Sequence, residues 1–310
     1  MQNTQRYILQ TLSYFDIFHY PLLEKEILQF HAENCDENVL SVALNELVAG
    51  GSVFKIAEYY SLHEDIELAI RRREGNKLAA EHLLIAQKAA KILSRFPFVR
   101  GLAISGSLSK NFSTEKADID FFIITKARRL WLARSFMHLY KKFTFLTGKQ
   151  SWFCMNYYVD EEGLEIEEKN IYTAIEVVTL LPMYGEDAVK KFVNVNGWTK
   201  RFLPIYMSSS EAPNAKRHFV SGLIESIFNN SIGEWLDNWC MHVTDKRWQK
   251  KVRQNKKNDK GFKVGMLVSK HFSKPNPEYF QKKVLDLYDE KIQKLKEPRY
   301  DHVSSCFPGS

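Results

Sequence analysis

The 310-residue chain has few cysteines, and they lie far apart: Cys35, Cys154, Cys240 and Cys306, with no C-x-x-C spacing among them. This pattern excludes a disulfide framework and a cysteine zinc site, and it reads as the reduced thiols of a cytoplasmic protein. Long apolar runs are missing too. No uncharged stretch reaches the about 18 residues that a membrane span needs. The opening residues, MQNTQRYILQ, have no basic segment followed by an apolar one, so no secretory leader is expected. The nine histidines contain no H-E-x-x-H pair, no internal repeat is visible, and nothing supports Ser-His-Asp or Cys-His chemistry. What is present is a 45% hydrophobic, 13% aromatic chain, too rich in large apolar side chains to be disordered. Its net charge of +7 is a mild basic bias, compatible with a polyanionic partner without demonstrating one.

The periodicity divides the chain into modules. Residues 1–65 read as three helices and a β-tip. Tyr7, Ile8, Leu12, Phe15 and Phe18 recur at helical spacing, and Pro21 breaks that helix. Residues 23–30 form a second helix. Asn38 is placed to cap a third, which Gly50 and Gly51 stop. Residues 52–62 read as one strand or a tight hairpin. Residues 66–96 are a connecting helix that Gly75 bends or divides, with Arg71, Arg72 and Arg73 as a solvated charge run. Residues 97–185 alternate strands and helices. Strands are expected at 99–105, 117–125 and 152–159, with 164–168 as a short return strand. Between them, residues 127–146 are amphipathic: Leu132, Phe136, Leu139, Phe143 and Leu146 make the apolar stripe, with Arg134 and His138 off it. A further helix over 171–181 is stopped by Pro182. Residues 186–297 read as mainly helical, over 188–193, 216–240 and 277–295, and 298–310 as a loose tail.

The chemistry gathers in residues 98–125, FVRGLAISGSLSKNFSTEKADIDFFIIT. Alternate strand residues share a face, so Asp118 and Asp120 point one way while Ile119, Phe121 and Ile123 point the other. Two neighbouring carboxylates repel each other unless a divalent cation lies between them, and Mg²⁺ suits oxygen ligands of this kind. A pair of surface acids near a turn is the plain alternative. Gly106 lets the backbone approach a ligand closely, and Ser107 offers a hydroxyl for phosphate oxygens; an ordinary turn is again the alternative.

Gly106-Ser107 followed by Asp118-x-Asp120, between the apolar runs 102–104 and 121–124, resembles the signature of the DNA polymerase β-like nucleotidyltransferase superfamily. The resemblance covers about 90 residues. Residues 1–65, by the order of their elements, resemble a winged-helix module. The implied fold is α+β: a nucleotidyltransferase-like mixed sheet with helices, preceded by the winged-helix-like module and followed by a mainly helical C-terminal region. The implied activity is Mg²⁺-dependent (or Mn²⁺-dependent) transfer of a nucleoside monophosphate from an NTP to an unidentified acceptor. Gly106 and Ser107 would bind the triphosphate, with Lys110 and Asn111 aiding by position, and Asp118 and Asp120 would carry two metal ions. The family's third carboxylate, on a later strand, is not matched: the corresponding strand centre holds Asn156. Glu165 or Glu167 on the return strand could supply it, and Asp160 is a more distant candidate. A site with two carboxylates alone would leave a nucleotide-binding or regulatory module that no longer catalyses.

Partners are less legible. The third N-terminal helix carries Asn45 and Glu46 outward and no Lys or Arg, which argues against DNA binding. Residues 246–296 are basic, with Trp248, Phe262 and Phe272 interleaved, and suit either an RNA-binding face or a solvated surface. Arg128, Arg129 and Arg134 face phosphates or solvent, and His271 reads as a surface histidine.

Overall fold

The computed structural model describes residues 2–144, 146, 148, 150–207, 211–212, 219–257, 263, 265–276 and 278–296. Phe262, Cys306 and the tail 298–310 lie outside them. The fold is α+β, with a mixed sheet.

The N-terminal module runs α1 (Gln2–Asp16), β1 (Leu22–Leu23), α2 (Glu24–Gln29), α3 (Glu37–Ala49), β2 (Phe54–Ile56) and β3 (Tyr59–Ser61). β1, β3 and β2 form an antiparallel sheet in that order. Ile8, Leu12 and Phe15 of α1 pack into one core with Leu40, Ala43 and Leu44 of α3. The cap of α3 is Asp36, not Asn38: its carboxylate accepts the Asn38 N–H at 2.8 Å. An aspartate two residues earlier meets an exposed amide of the first turn that Asn38, already inside the helix, cannot reach.

α4 (Ile66–Leu93) runs unbroken through Gly75. The glycine is there for space: a Cβ on it would lie 2.2 Å from the Phe112 ring. The arginine run beside it is solvated at Arg71 and Arg73 but not at Arg72. Arg72, 1% exposed, meets Glu26 at 2.7 Å, the Pro21 carbonyl at 2.9 Å and Asn76 at 2.8 Å, with its guanidinium over the Tyr20 ring. Arg71 donates to the carbonyls of Phe18 and His19, and Arg73 pairs with Glu58. A planar fork of five donors is what lets one side chain tie α4 to several groups of the module at once.

The central sheet has the order β7-β4-β5-β6-β9-β8, from β4 (Val99–Ile104), β5 (Asp120–Thr125), β6 (Cys154–Asp160), β7 (Leu181–Tyr184), β8 (Met266–Val268) and β9 (Phe272–Pro275). β5 and β6 are parallel, crossed over by α5 (Leu130–Thr144), and the other pairs are antiparallel. Phe122 and Ile124 face one core with α6 (Ile171–Val178), α7 (Glu186–Val195) and the N-terminal module; Phe121 and Ile123 face a second with α4 and α5. Both faces are covered, which is why residues 121–124 are apolar throughout. Pro182 does not merely stop a helix; it sits in β7 at the sheet edge, where a missing N–H is tolerated.

The expected return strand at 164–168 does not form. The buried Asn196 side chain takes up its backbone instead, accepting from Ile166 N and donating to Leu164 O, both at 2.8 Å. The neighbour of β6 is β9, from the stretch expected to be helical. The helix expected over 216–240 is two, α8 (Phe219–Phe228) and α9 (Ser231–Arg253), divided where Asn230 caps α9. α10 (Phe280–Lys296) returns to α1, with Tyr288 against Tyr14 and Lys291 bound to Asp16 at 2.6 Å. On α5 Leu130, Trp131, Leu132, Ala133, Arg134 and Met137 are buried; of the expected stripe Leu132 is buried and Phe136 half-buried, while Leu139, Phe143 and, beyond the helix, Leu146 are exposed. Arg134 stacks near Trp131 and Tyr158. His138, expected off the stripe, is also packed inward, and burial, aided by Arg134, pushes its pKa down to about 3.

Candidate active site at the head of β5

The turn after β4 and the start of β5 meet at the mouth of a cavity of about 600 Å³. Gly106 has φ +72°, a left-handed conformation that glycine adopts without strain. It also lies against Asp120: a Cβ on residue 106 would be 3.1 Å from the Asp120 Oδ2. The turn is anchored because Ser105 N–H donates to the Asp120 carbonyl at 2.9 Å. Ser107 is exposed at the mouth and leads into a short 3-10 turn, Leu108–Lys110.

Asp118 and Asp120 are not equivalent. β5 begins at Asp120, which is half-buried and lines the cavity. Asp118 precedes the strand, is exposed, and is not on the cavity wall. It is nevertheless close enough, with Asp120, to help hold the Cys154 thiol protonated; burial is the main cause of that upward shift.

Asn156 reaches the site by a β-bulge. Phe121 pairs with Met155 and Phe122 with Tyr157, so Asn156 is the extra residue. The bulge turns both Asn156 and Tyr157 to the cavity. The Asn156 amide donates to Asp120 Oδ1 at 2.6 Å. The residue at the third-ligand position is therefore a hydrogen-bond donor to the acid beside it.

The proposed alternatives to Asn156 stand elsewhere. Glu165 and Glu167 are exposed and off the cavity wall, and Glu165 is held by Lys169 at 2.6 Å. The acids that do line the cavity besides Asp120 are Glu168 and Glu176. Each has a lysine: Glu168 with Lys274 at 2.5 Å and Glu176 with Lys110 at 2.8 Å. Lys110 also donates to the Gly106 carbonyl at 3.1 Å, which braces the turn. Arg128, Arg129 and Arg134 are not on the wall.

Much of the remaining wall is aromatic and comes from distant segments, including Tyr14, Phe15 and Phe18 of the N-terminal module, Tyr172 of α6, and Phe280 of α10. Burial, then Glu176, raises the Tyr14 and Tyr172 phenols well above their ordinary range, so both remain protonated donors. No sequence spacing marks these residues, because they converge only when the two ends of the chain pack together.

A second acidic group lies at the far end of β6. Among the described residues, Asp160, Glu162 and His271 bring ligand atoms within 4.8 Å of one another and could in principle hold a metal ion. The fully buried Asp160 is already engaged. It accepts from the N–H groups of Arg128 (2.9 Å), Glu162 (3.0 Å) and Gly163 (3.0 Å), and from His271 Nδ1 (3.0 Å). His271 is thus a partner of Asp160 rather than a free surface histidine.

The basic C-terminal stretch is not a single face. Lys246, Arg247, Lys250, Lys251 and Arg253 are exposed on the last turns of α9, whereas Lys274 and Lys291 are held in ion pairs. No helix among the described residues is long and apolar enough to cross a membrane.

Set beside models of known families, curated proteins and solved structures, the chain matches none.

Proposed function

We propose that this chain is a cytoplasmic, Mg²⁺-dependent nucleotidyltransferase that moves a nucleoside monophosphate from an NTP to an acceptor still to be identified. The observation that carries the reading is the contact of Gly106 with Asp120 across β4 and β5, at the mouth of a 600 Å³ cavity. A glycine turn pressed against a carboxylate brings a phosphate-approachable backbone and a metal-ligating oxygen to one point.

The donor set fits a magnesium ion in part. Asp120 presents a carboxylate to the cavity, Asp118 lies two residues upstream, and both are hard oxygen donors. They would hold the ion, which when bound supplies positive charge against the phosphates. The chain's own groups do the remaining work. Ser107 offers a hydroxyl to the phosphate chain. Lys110 keeps the turn in place through the Gly106 carbonyl while Glu176 fixes its ammonium. The aromatic walls exclude water from whatever enters.

The order α1-β1-α2-α3-β2-β3, with its small antiparallel sheet, supports reading residues 1–65 as a winged-helix-like module. Here that module supplies a wall of the cavity, and α3 exposes Val39 and Val42 with no Lys or Arg, so its role is to close the site rather than to bind DNA.

One observation favours a second reading. Asn156 is neutral, cannot act as a base, and occupies Asp120 Oδ1. A site of this kind would bind nucleotide without transferring it. The test is to incubate the pure chain with each labelled NTP and Mg²⁺ or Mn²⁺, and to follow pyrophosphate release across acceptor pools beside NTP binding. Release that the Asp118→Ala/Asp120→Ala variant loses supports transfer. Release that the variant keeps removes the catalytic assignment, and binding without release selects the second reading.

A further inference from the structure

α8 is inside out. Its one charged side chain, Glu225, is buried, where it accepts from Phe98 N–H at 2.7 Å and pairs with Arg100 at 2.8 Å. Most of its large apolar side chains point the other way: Phe219 is 84% exposed, and Val220, Leu223 and Ile227 are each more than half exposed, while Ile224 and Phe228 are half-buried. α9 continues this surface. Ile232, Trp235 and Trp239, each more than half exposed, are followed by exposed His242, Lys246, Lys250 and Arg253. The steps along this series are three or four residues, so all seven side chains share one stripe of the helix. Beside α9, α5 adds exposed Leu139 and Phe143. Large apolar side chains left exposed on three neighbouring helices point to an interaction surface.

The charge pattern identifies what covers it. Two of the three acids of α9 are engaged off the stripe: Glu234 pairs with Arg128 and Lys270, and Asp237 is buried against the Leu132 N–H; Asp245, at the flank of the stripe beside Lys246, accepts from Gln249. α5 contains no acid at all. A second copy of the chain, docked through the same face, would bring further cations and few acids to these cations. An RNA strand would answer the cations but leave Leu223, Ile227 and Ile232 in water. We propose that the α8–α9 face docks on an anionic lipid surface, lying in the bilayer interface without spanning it. Its leucines, isoleucines and phenylalanine would enter the acyl boundary, Trp235 and Trp239 would sit at headgroup level, and Lys246, Lys250 and Arg253 would meet lipid phosphates. This inference is independent of the nucleotide site.

The test is flotation of the full chain with phosphatidylcholine vesicles, and with vesicles of phosphatidylcholine and phosphatidylglycerol. Binding to the anionic vesicles alone, weakening as salt rises, is the expected result. Trp235→Ala/Trp239→Ala and, separately, Lys246→Glu/Lys250→Glu should each weaken it by roughly tenfold or more, with circular dichroism and thermal unfolding unchanged. Both variants change exposed residues, and the second leaves the apolar half intact, so a folding defect in one would not imitate the loss in the other. The proposal fails if anionic vesicles are not bound, or if neither variant weakens binding. It also fails if light scattering shows a dimer that Trp235→Ala/Trp239→Ala dissociates, which would give the face to a second copy. Salt-sensitive RNA binding that survives the tryptophan changes, without vesicle binding, would give it to RNA.

Discussion

Asp120 and Asp160 sit on adjacent parallel strands, one at the head of β5 and one at the end of β6, and they have opposite lives. Asp160 is fully buried, and backbone N–H groups of the 128 and 162–163 loops, with the His271 ring, fill its oxygens. Asp120 is half-buried, faces a cavity, and is approached by a glycine turn and an amide. The difference teaches that a carboxylate's work is set by the donors folded around it. One surrounded by backbone donors holds loops together; one on a cavity wall lies where a ligand can reach it.

The comparison breaks most readily at Asp120. On the proposed transfer reading, replacing it with alanine should lower pyrophosphate release at least about a hundredfold, the scale of several kcal/mol of lost charge stabilisation. The change in urea unfolding should stay within about 1 kcal/mol. Asp160→Ala should do the reverse. Three N–H groups and an imidazole lose their acceptor, so stability should fall by roughly 3 kcal/mol by urea unfolding, with NTP affinity in the folded fraction unchanged. An Asp160→Ala chain that keeps its stability but loses nucleotide binding would invert the two roles.

Asn156→Asp sharpens the comparison by making the cavity end more acidic. Without divalent cation, a carboxylate replacing the amide beside Asp120 should lower the unfolding midpoint by the equivalent of about 1 kcal/mol, through like-charge repulsion. Mg²⁺ should restore it, which differential scanning fluorimetry with and without the ion would show. Pyrophosphate release found in Asn156→Asp but not in the natural chain would establish the second reading.

A third acid, Asp237, tests the comparison through pH rather than through removal of a partner. Burial pushes its carboxyl up to about 7 from an ordinary 3.8, against the lowering by the Leu132 N–H and Arg129. Between those values the folded chain holds a proton that the unfolded chain has released. The contribution is therefore full below about 4 and is lost as pH rises through about 7. Asp237→Asn, which still offers an oxygen to Leu132, should flatten that part of the stability–pH curve; an unchanged slope in denaturant titrations would show that Asp237 is ionised in the fold.

Much of the platform was legible without coordinates. The apolar run 121–124, flanked by Gly106-Ser107 and Asp120, led to neighbouring strands and the site at their end because strand alternation and glycine turns are local. The same locality explains the misreadings. Three consecutive arginines look solvated until Glu26, Pro21 and Tyr20 close over the middle one. The stripe of α5 looks like a core face because periodicity shows that a helix has two sides, not which side is covered. Glu165 and Glu167 lie on a segment whose backbone bonds Asn196 instead of forming a return strand, and β9 takes the place beside β6.

By itself the sequence determined the α+β class, the glycine turn, the acids at 118 and 120, and the amide at 156, since each depends on residue type and short spacing. Only the tertiary structure decided that Asp120 rather than Asp118 meets the cavity, that a bulge brings Asn156 to it, and that the two ends of the chain supply its aromatic walls. Burial and pairing are properties of neighbours in space, and those neighbours lie up to 275 residues apart along the chain.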